Sequence, residues 1–174
     1  PAAGGTQVCL RAPRPGPIFE LIQQEGVTHL GGAPTVLTML ANASPGEQAP
    51  MAQRGSTAKP VQLLTAGSPP PPAILSATEA LGFEVTHMYG LTETNGQCLT
   101  SVYKTAEYAT LGEEEQAKLK ARQGVPTPLL GGDVEVLCAG VSTDAVRVVT
   151  PGSEEMGEIC IRGNTIMKGY LKAP

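Results

Sequence analysis

Residues 61–89 decide the fold: VQLLTA at 61–66, GSPPPP at 67–72, AILSATEAL at 73–81, Gly82, then FEVTHMY at 83–89. The two outer runs read as strands and the middle run, 73–81, as a helix. Gly67 and Ser68 break the first strand, Pro72 suits the first turn of a helix, and Gly82 stands where a helix ends. A strand that returns to the same sheet through a helix is a parallel crossover unit. The stretch therefore predicts an α/β layer.

Working outward, the same alternation continues toward the N-terminus. Residues 6–11 alternate weakly and are expected to form a short strand. Residues 17–25 place Ile18, Leu21 and Ile22 on one side of a helix that Gly26 would end, residues 27–30 read as a strand, and residues 35–43 read as a second helix. Residues 44–59 are small, polar and proline-containing without a period, so a mobile surface loop is expected across 45–60. Toward the C-terminus, 99–103 reads as a strand. Residues 110–122 form a helix with acids first and bases last, a solvated face matched to the helix dipole. From 131 onward the pattern shortens to β pieces at 133–137, 146–149 and 158–162. The expected organisation is an α/β part over 1–130 and a β-rich subdomain over 131–174. In such a parallel sheet the loops opening at Gly31, Gly67 and Gly90 share the edge where ligands bind.

Composition narrows the function. The chain has 174 residues, a formal net charge of -4 and 3% aromatic residues. Nucleic-acid binding by phosphate neutralisation and base stacking is therefore a poor fit. No apolar run reaches the length of about 20 residues that a bilayer requires. Soluble, intracellular placement is the expectation, with Cys9, Cys98, Cys138 and Cys160 reduced and too widely spaced for a zinc site. His29 and His87 have no partner at ligand spacing, Lys168 reads as a solvated turn lysine, and Cys98 as a small packing residue. No G-x-G-x-x-G follows any expected strand, which weakens a dehydrogenase reading, and no G-x-x-x-x-G-K-[ST] marks an ordinary nucleotide-binding P-loop.

The densest chemistry lies at 89–94, YGLTET, where an aromatic ring, a flexible glycine, a hydroxyl and a carboxylate fall on one loop. Such a set can stack on a base, bond a phosphate oxygen and hold a hard cation through oxygen. On residue chemistry alone it reads equally well as a core tyrosine followed by a polar turn. The turn at 64–72, LLTAGSPPPP, offers backbone for a flat ligand and the open N–H groups of a helix start. That turn, too, is open to a ligand-free reading.

Together these stretches resemble the adenylate-forming superfamily, the AMP-binding acyl-CoA synthetases. YGLTET is similar to the family's signature loop, LLTAGSPPPP to its adenine-pocket strand and turn, VTHLGGAPTVLTML at 27–40 to its acyl-pocket segment, and MGEICIRGNTIMKGYLKAP at 156–174 to its distal β-subdomain. The resemblance is closest to the plant and bacterial branch that activates short and medium-chain fatty acids or aryl acids. It implies that Tyr89 stacks on adenine against Ala66, Gly67 and Ser68, with His87, Met88, Gly90 and Leu91 completing the wall. It implies that Thr92 bonds the α-phosphate, that Glu93 binds Mg²⁺, and that Gly32, Ala33, Pro34 and Gly67 border the acyl tunnel. Many relatives have two glycines followed by alanine where this chain has Ala66-Gly67-Ser68, a difference that bears on the pocket's fit.

The implied activity joins a carboxylate to ATP and passes the acyl group to coenzyme A. The chain reads as an excerpt lacking N- and C-terminal parts of itself. The family's phosphate loop would lie upstream and its ribose aspartate, hinge and lysine downstream, so that this stretch alone would be inactive. A non-catalytic nucleotide- or acyl-binding remnant is the alternative.

Overall fold

The computed structural model describes residues 4–55, 57–101, 105–108, 110–128, 132–138 and 147–172. The chain divides into two compact units, Pro1–Tyr89 with Thr100–Gly124, and Gly90–Leu99 with Val125–Pro174. This differs from the expected division at 130/131, because the turn after Tyr89 belongs with the later chain. The amide of Thr127 donates to the Cys98 carbonyl and that of Met167 to the Glu93 carbonyl, both at 2.9 Å.

In the first unit, β1 (His29–Gly31), β2 (Val61–Ala66) and β3 (Phe83–Leu91) lie side by side in that order, all parallel. β2 has the bounds expected from its sequence. Its register with β3 runs from Val61 opposite Phe83 to Ala66 opposite Met88. Alternation puts Val61, Leu63 and Thr65 on the same face as Phe83, Val85 and His87, and all six are buried. Those strands carry the core.

Helices cover that core. α1 (Pro15–Glu25) starts on prolines, buries Ile18, Phe19 and Ile22, and ends at Gly26 in the left-handed conformation. The Phe19 ring meets Phe83 with centroids 6.3 Å apart. α2 (Pro34–Ala41) buries Leu37 and Leu40. α4 (Pro72–Ala80) buries Leu75 and Thr78.

Two local expectations are corrected here. Residues 45–52, expected within a loop, form the helix α3 (Pro45–Ala52). Ser44 caps it: the Ser44 amide donates to Glu47 Oε2 at 2.9 Å, and the Glu47 amide donates back to Ser44 Oγ at 3.4 Å. Such reciprocal capping satisfies two donors that a short helix otherwise leaves open. Residues 6–11, expected as a strand, carry none and are exposed along their length. A strand persists through the partner that takes up its backbone groups, and the described residues supply no partner there.

The short helix α5 (Thr105–Tyr108) and α6 (Glu113–Lys120) complete this unit. Glu114 and Lys118 pair at 2.6 Å on the exposed face, as the charge pattern predicts. Lys120 departs from it, since its Nζ reaches Glu79 of α4 at 2.5 Å with both side chains largely covered.

In the second unit the end of β3 continues the sheet order through β4 (Gly96–Thr100) to β5 (Val125–Pro126), the last residue of β4 lying in the first unit. β6 (Asp133–Cys138) and β7 (Gly157–Arg162) form an antiparallel pair in which Asp133 stands opposite Arg162, their side chains bonded at 2.5 Å. Val148 bridges to Leu137. Residues 102, 103 and 146 of the expected strands lie outside the described residues.

Candidate active site

Because β1, β2 and β3 are parallel, the turns after Gly31 and Ala66 leave the sheet at the end where β3 reaches Tyr89. The Gly32 amide donates to the Leu64 carbonyl at 3.0 Å, binding the exit of β1 against β2. A Cβ on Gly32 would press on Val36 at 3.2 Å. Ala33 then caps α2 in an extended conformation and Pro34 starts it. Three of the expected acyl-border residues, Gly32, Ala33 and Pro34, thus form one tight strand-to-helix turn, while the fourth, Gly67, lies in the turn after β2.

Gly67 follows β2 with φ +116, and a Cβ placed there would meet no atom within 4 Å. The dihedral demands glycine while the space beside it is open. Ala66 and Ser68 are exposed, and Met88 and Tyr89 are half-buried. Ala66 and Met88 share a face by register.

His87 sits on the opposite face from Met88 and is only 2% exposed. Its carbonyl accepts from the Ser101 amide at 2.8 Å. Burial is the main cause pushing its imidazole pKa down, opposed by a bond to the Arg122 backbone. The ring is neutral at physiological pH. Its Nδ1 and the hydroxyl of Thr65, its direct neighbour in register, are both buried without a hydrogen-bond partner. The structure therefore sets His87 behind the strand edge, inside the core face.

The second unit holds the rest of the expected site. A Cβ on Gly90 would lie 2.0 Å from the Gly96 carbonyl oxygen, so close approach of backbone requires glycine there. Thr92–Thr94 form one 3-10 turn, and Asn95 closes it at φ 55. Thr94, to which sequence reasoning assigned no role, is buried and locks the turn. Its Oγ1 accepts from the Leu91 amide at 2.9 Å and donates to the Gly96 carbonyl at 2.6 Å. With Thr94 facing inward, Thr92 and Leu91 are exposed and Glu93 is half-buried.

Glu93 is gripped twice. Its carbonyl accepts from the Met167 amide at 2.9 Å, and its Oε1 accepts from the Tyr170 hydroxyl. That hydroxyl is the leading cause holding the Glu93 carboxyl below its usual range, with a backbone bond second. Tyr170 lies in the stretch at 156–174 that resembles the family's distal β-subdomain, and its local sequence carries no signal for this contact.

The described residues contain no group of three or more His, Cys, Asp or Glu able to hold a metal. Glu93, ionised and half-exposed, is suited to a cation that takes its other ligands from phosphate and water, the usual coordination of Mg²⁺ beside a nucleotide.

The chain has the α/β fold of solved adenylate-forming enzymes. Solved structures with this fold include the amide bond synthetase McbA of Marinactinospora thermotolerans, at TM-score 0.70 and 24% identity over 98% of this chain and 30% of that one. Another is the o-succinylbenzoate coenzyme A synthetase of Bacillus subtilis, solved with ATP and a magnesium ion, at TM-score 0.59 and 23% identity over 91% of this chain and 27% of that one.

The model of the family described as AMP-binding enzyme matches residues 2–171, and the chain belongs to that family. Among curated relatives, it is 43% identical to a 2-methylpropanoate–CoA ligase of Humulus lupulus over 99% of this chain and 29% of that protein. It is 40% identical to a peroxisomal trans-cinnamate:CoA ligase of Petunia hybrida over 98% of this chain and 28% of that protein. The chain thus spans under a third of the length of these relatives. No helix among the described residues is long and apolar enough to cross a membrane.

Proposed function

We propose that the polypeptide carrying this chain is an ATP-dependent carboxylate–CoA ligase acting on a short or medium-chain fatty acid or an aryl acid. The observation that carries the proposal is the family match over residues 2–171 together with a rigid turn that presents Thr92 and Glu93 outward. The relatives described as 2-methylpropanoate, butyrate and trans-cinnamate CoA ligases support the substrate class. Peroxisomal relatives are consistent with an intracellular compartment.

In this reading Tyr89, Met88 and the Ala66-Gly67-Ser68 turn hold adenine, with Gly90 and Leu91 continuing the wall. His87 supports that wall from the buried side. The empty space beside Gly67 supports a flat ligand lying against backbone. The Thr92 hydroxyl donates to the α-phosphate, and Glu93 supplies a carboxylate oxygen to the cation. Bound Mg²⁺ would neutralise phosphate charge as the substrate carboxylate displaces pyrophosphate. Gly32, Ala33, Pro34 and Gly67 border the acyl group; the thiol of coenzyme A then attacks the acyl-adenylate carbonyl, forming the thioester and releasing AMP.

The test is carboxylate-dependent ATP–pyrophosphate exchange in the full polypeptide that carries this chain, run against a panel of aliphatic and aryl acids. Glu93→Gln should lower exchange roughly a hundredfold, the cost of removing one preorganised charge-stabilising group. Near-normal exchange by that variant at limiting Mg²⁺ would refute the metal role.

A further inference from the structure

Within the second unit, one stretch reaches Glu93 from far along the chain. Residues 163–170 follow β7 without regular secondary structure. Their path turns where the Ile166 amide donates to the Gly163 carbonyl at 3.4 Å. Two positions of this stretch then bond a single residue, Met167 at the Glu93 backbone and Tyr170 at its carboxylate.

The tyrosine ring is 61% exposed, so burial does little to fix where its hydroxyl goes. A glutamate side chain otherwise surrenders substantial rotamer freedom when it is held in one pose. A donor on Oε1 sets that pose in advance and leaves Oε2 for a second partner. Charge-assisted bonds of this kind are the stronger class of hydrogen bond.

We propose that Tyr170 is a positioning residue for Glu93, its phenol orienting the carboxylate for the cation while the Met167 amide fixes the turn beneath. The inference rests on the reading of Glu93 as the cation's ligand. It makes the stretch after β7 part of the site's supporting shell, although that stretch contacts neither nucleotide nor acid in the proposed function.

The experiment uses Mn²⁺ as the spectroscopic probe, titrated in the full polypeptide carrying this chain with a non-hydrolysable ATP analogue present. Amide exchange at Met167 is followed in parallel. Tyr170→Phe removes only the hydroxyl and should weaken Mn²⁺ binding about tenfold, the low end for loss of a group that orients a metal ligand. The analogue's affinity without metal and the protection of Met167 should stay unchanged, and Tyr170→Phe should add nothing in a Glu93→Gln background.

If Glu93→Gln weakens Mn²⁺ binding while Tyr170→Phe does not, the positioning role is overturned and the metal reading stands. If neither variant changes Mn²⁺ affinity, the metal reading fails and takes this inference with it. Weakened binding accompanied by lost Met167 protection would show that the hydroxyl merely holds the stretch together, which also overturns the proposal.

Discussion

Gly67 follows β2 and Gly90 lies near the end of the neighbouring strand β3, yet they are glycines for opposite reasons. At Gly67 the backbone dihedral excludes other residues while the space around the missing Cβ is empty. At Gly90 the backbone has no positive φ, and the missing Cβ would fall on the carbonyl of Gly96. One position has a backbone conformation that suits only glycine and open space beside it, whereas the other has an ordinary backbone and no space. Open space beside backbone is what a ligand needs; a filled contact is what a rigid frame needs. In the proposed function, the contrast separates a residue that would make room for adenine from one that fixes the turn carrying Thr92 and Glu93.

Substituting alanine at each position breaks the comparison most directly. Gly90→Ala forces a methyl into backbone atoms at 2.0, 2.6 and 2.8 Å, none of which is the free end of a side chain. The expected loss is on the order of 4 kcal/mol, in the exceptional range for point changes. Denaturant unfolding would measure it, and a loss under about 1 kcal/mol would mean that the two strands do not approach so closely. Gly67→Ala meets no clash and carries only the strain of its dihedral, about 1–3 kcal/mol. Its larger consequence should fall on nucleotide affinity, read by titration with an ATP analogue. A Gly67→Ala variant as unstable as Gly90→Ala would erase the distinction.

The parts of this arrangement that were readable in the sequence are those with short-range causes. Strand β2 appears at its expected bounds because VQLLTA is an apolar run stopped by Gly67, and the helix after Pro72 is announced by that proline. The helix α3 was missed because Met51 is the one residue it buries, which leaves no apolar period to detect. Its signal was the Ser44-x-x-Glu47 capping pattern. The strand expected over 6–11 fails for the converse reason, since alternation without a neighbour forms no ladder. At the site, YGLTET gave the turn and its outward hydroxyl and carboxylate. The grip of Tyr170 on Glu93 joins residues 77 positions apart, and nothing local encodes such a contact. The burial of His87 was likewise hidden, because a strand's period shows two faces without saying which one the helices will cover.

His87 gives the smallest effect and the sharpest view of the ground behind both glycines. Thr65 and His87 are paired in register near the ends of β2 and β3, and Thr65 Oγ1 and His87 Nδ1 are buried without hydrogen-bond partners. Burial lowers the imidazole pKa in the folded chain below the ordinary value of 6.5. The unfolded chain therefore binds a proton at His87 before the folded chain does, and unfolding gains ground as the solution is acidified. The contribution is fully present above pH 6.5 and is lost progressively as pH falls from there toward the folded value. Melting temperature should drop by a few degrees between pH 7.5 and 5.5. In His87→Gln, which keeps an amide donor for the Arg122 carbonyl but does not titrate, that drop should shrink. Equal slopes in the two proteins would mean that the ring is reached by water, and that the strand edge behind Ala66 and Met88 is less tightly closed than its burial indicates.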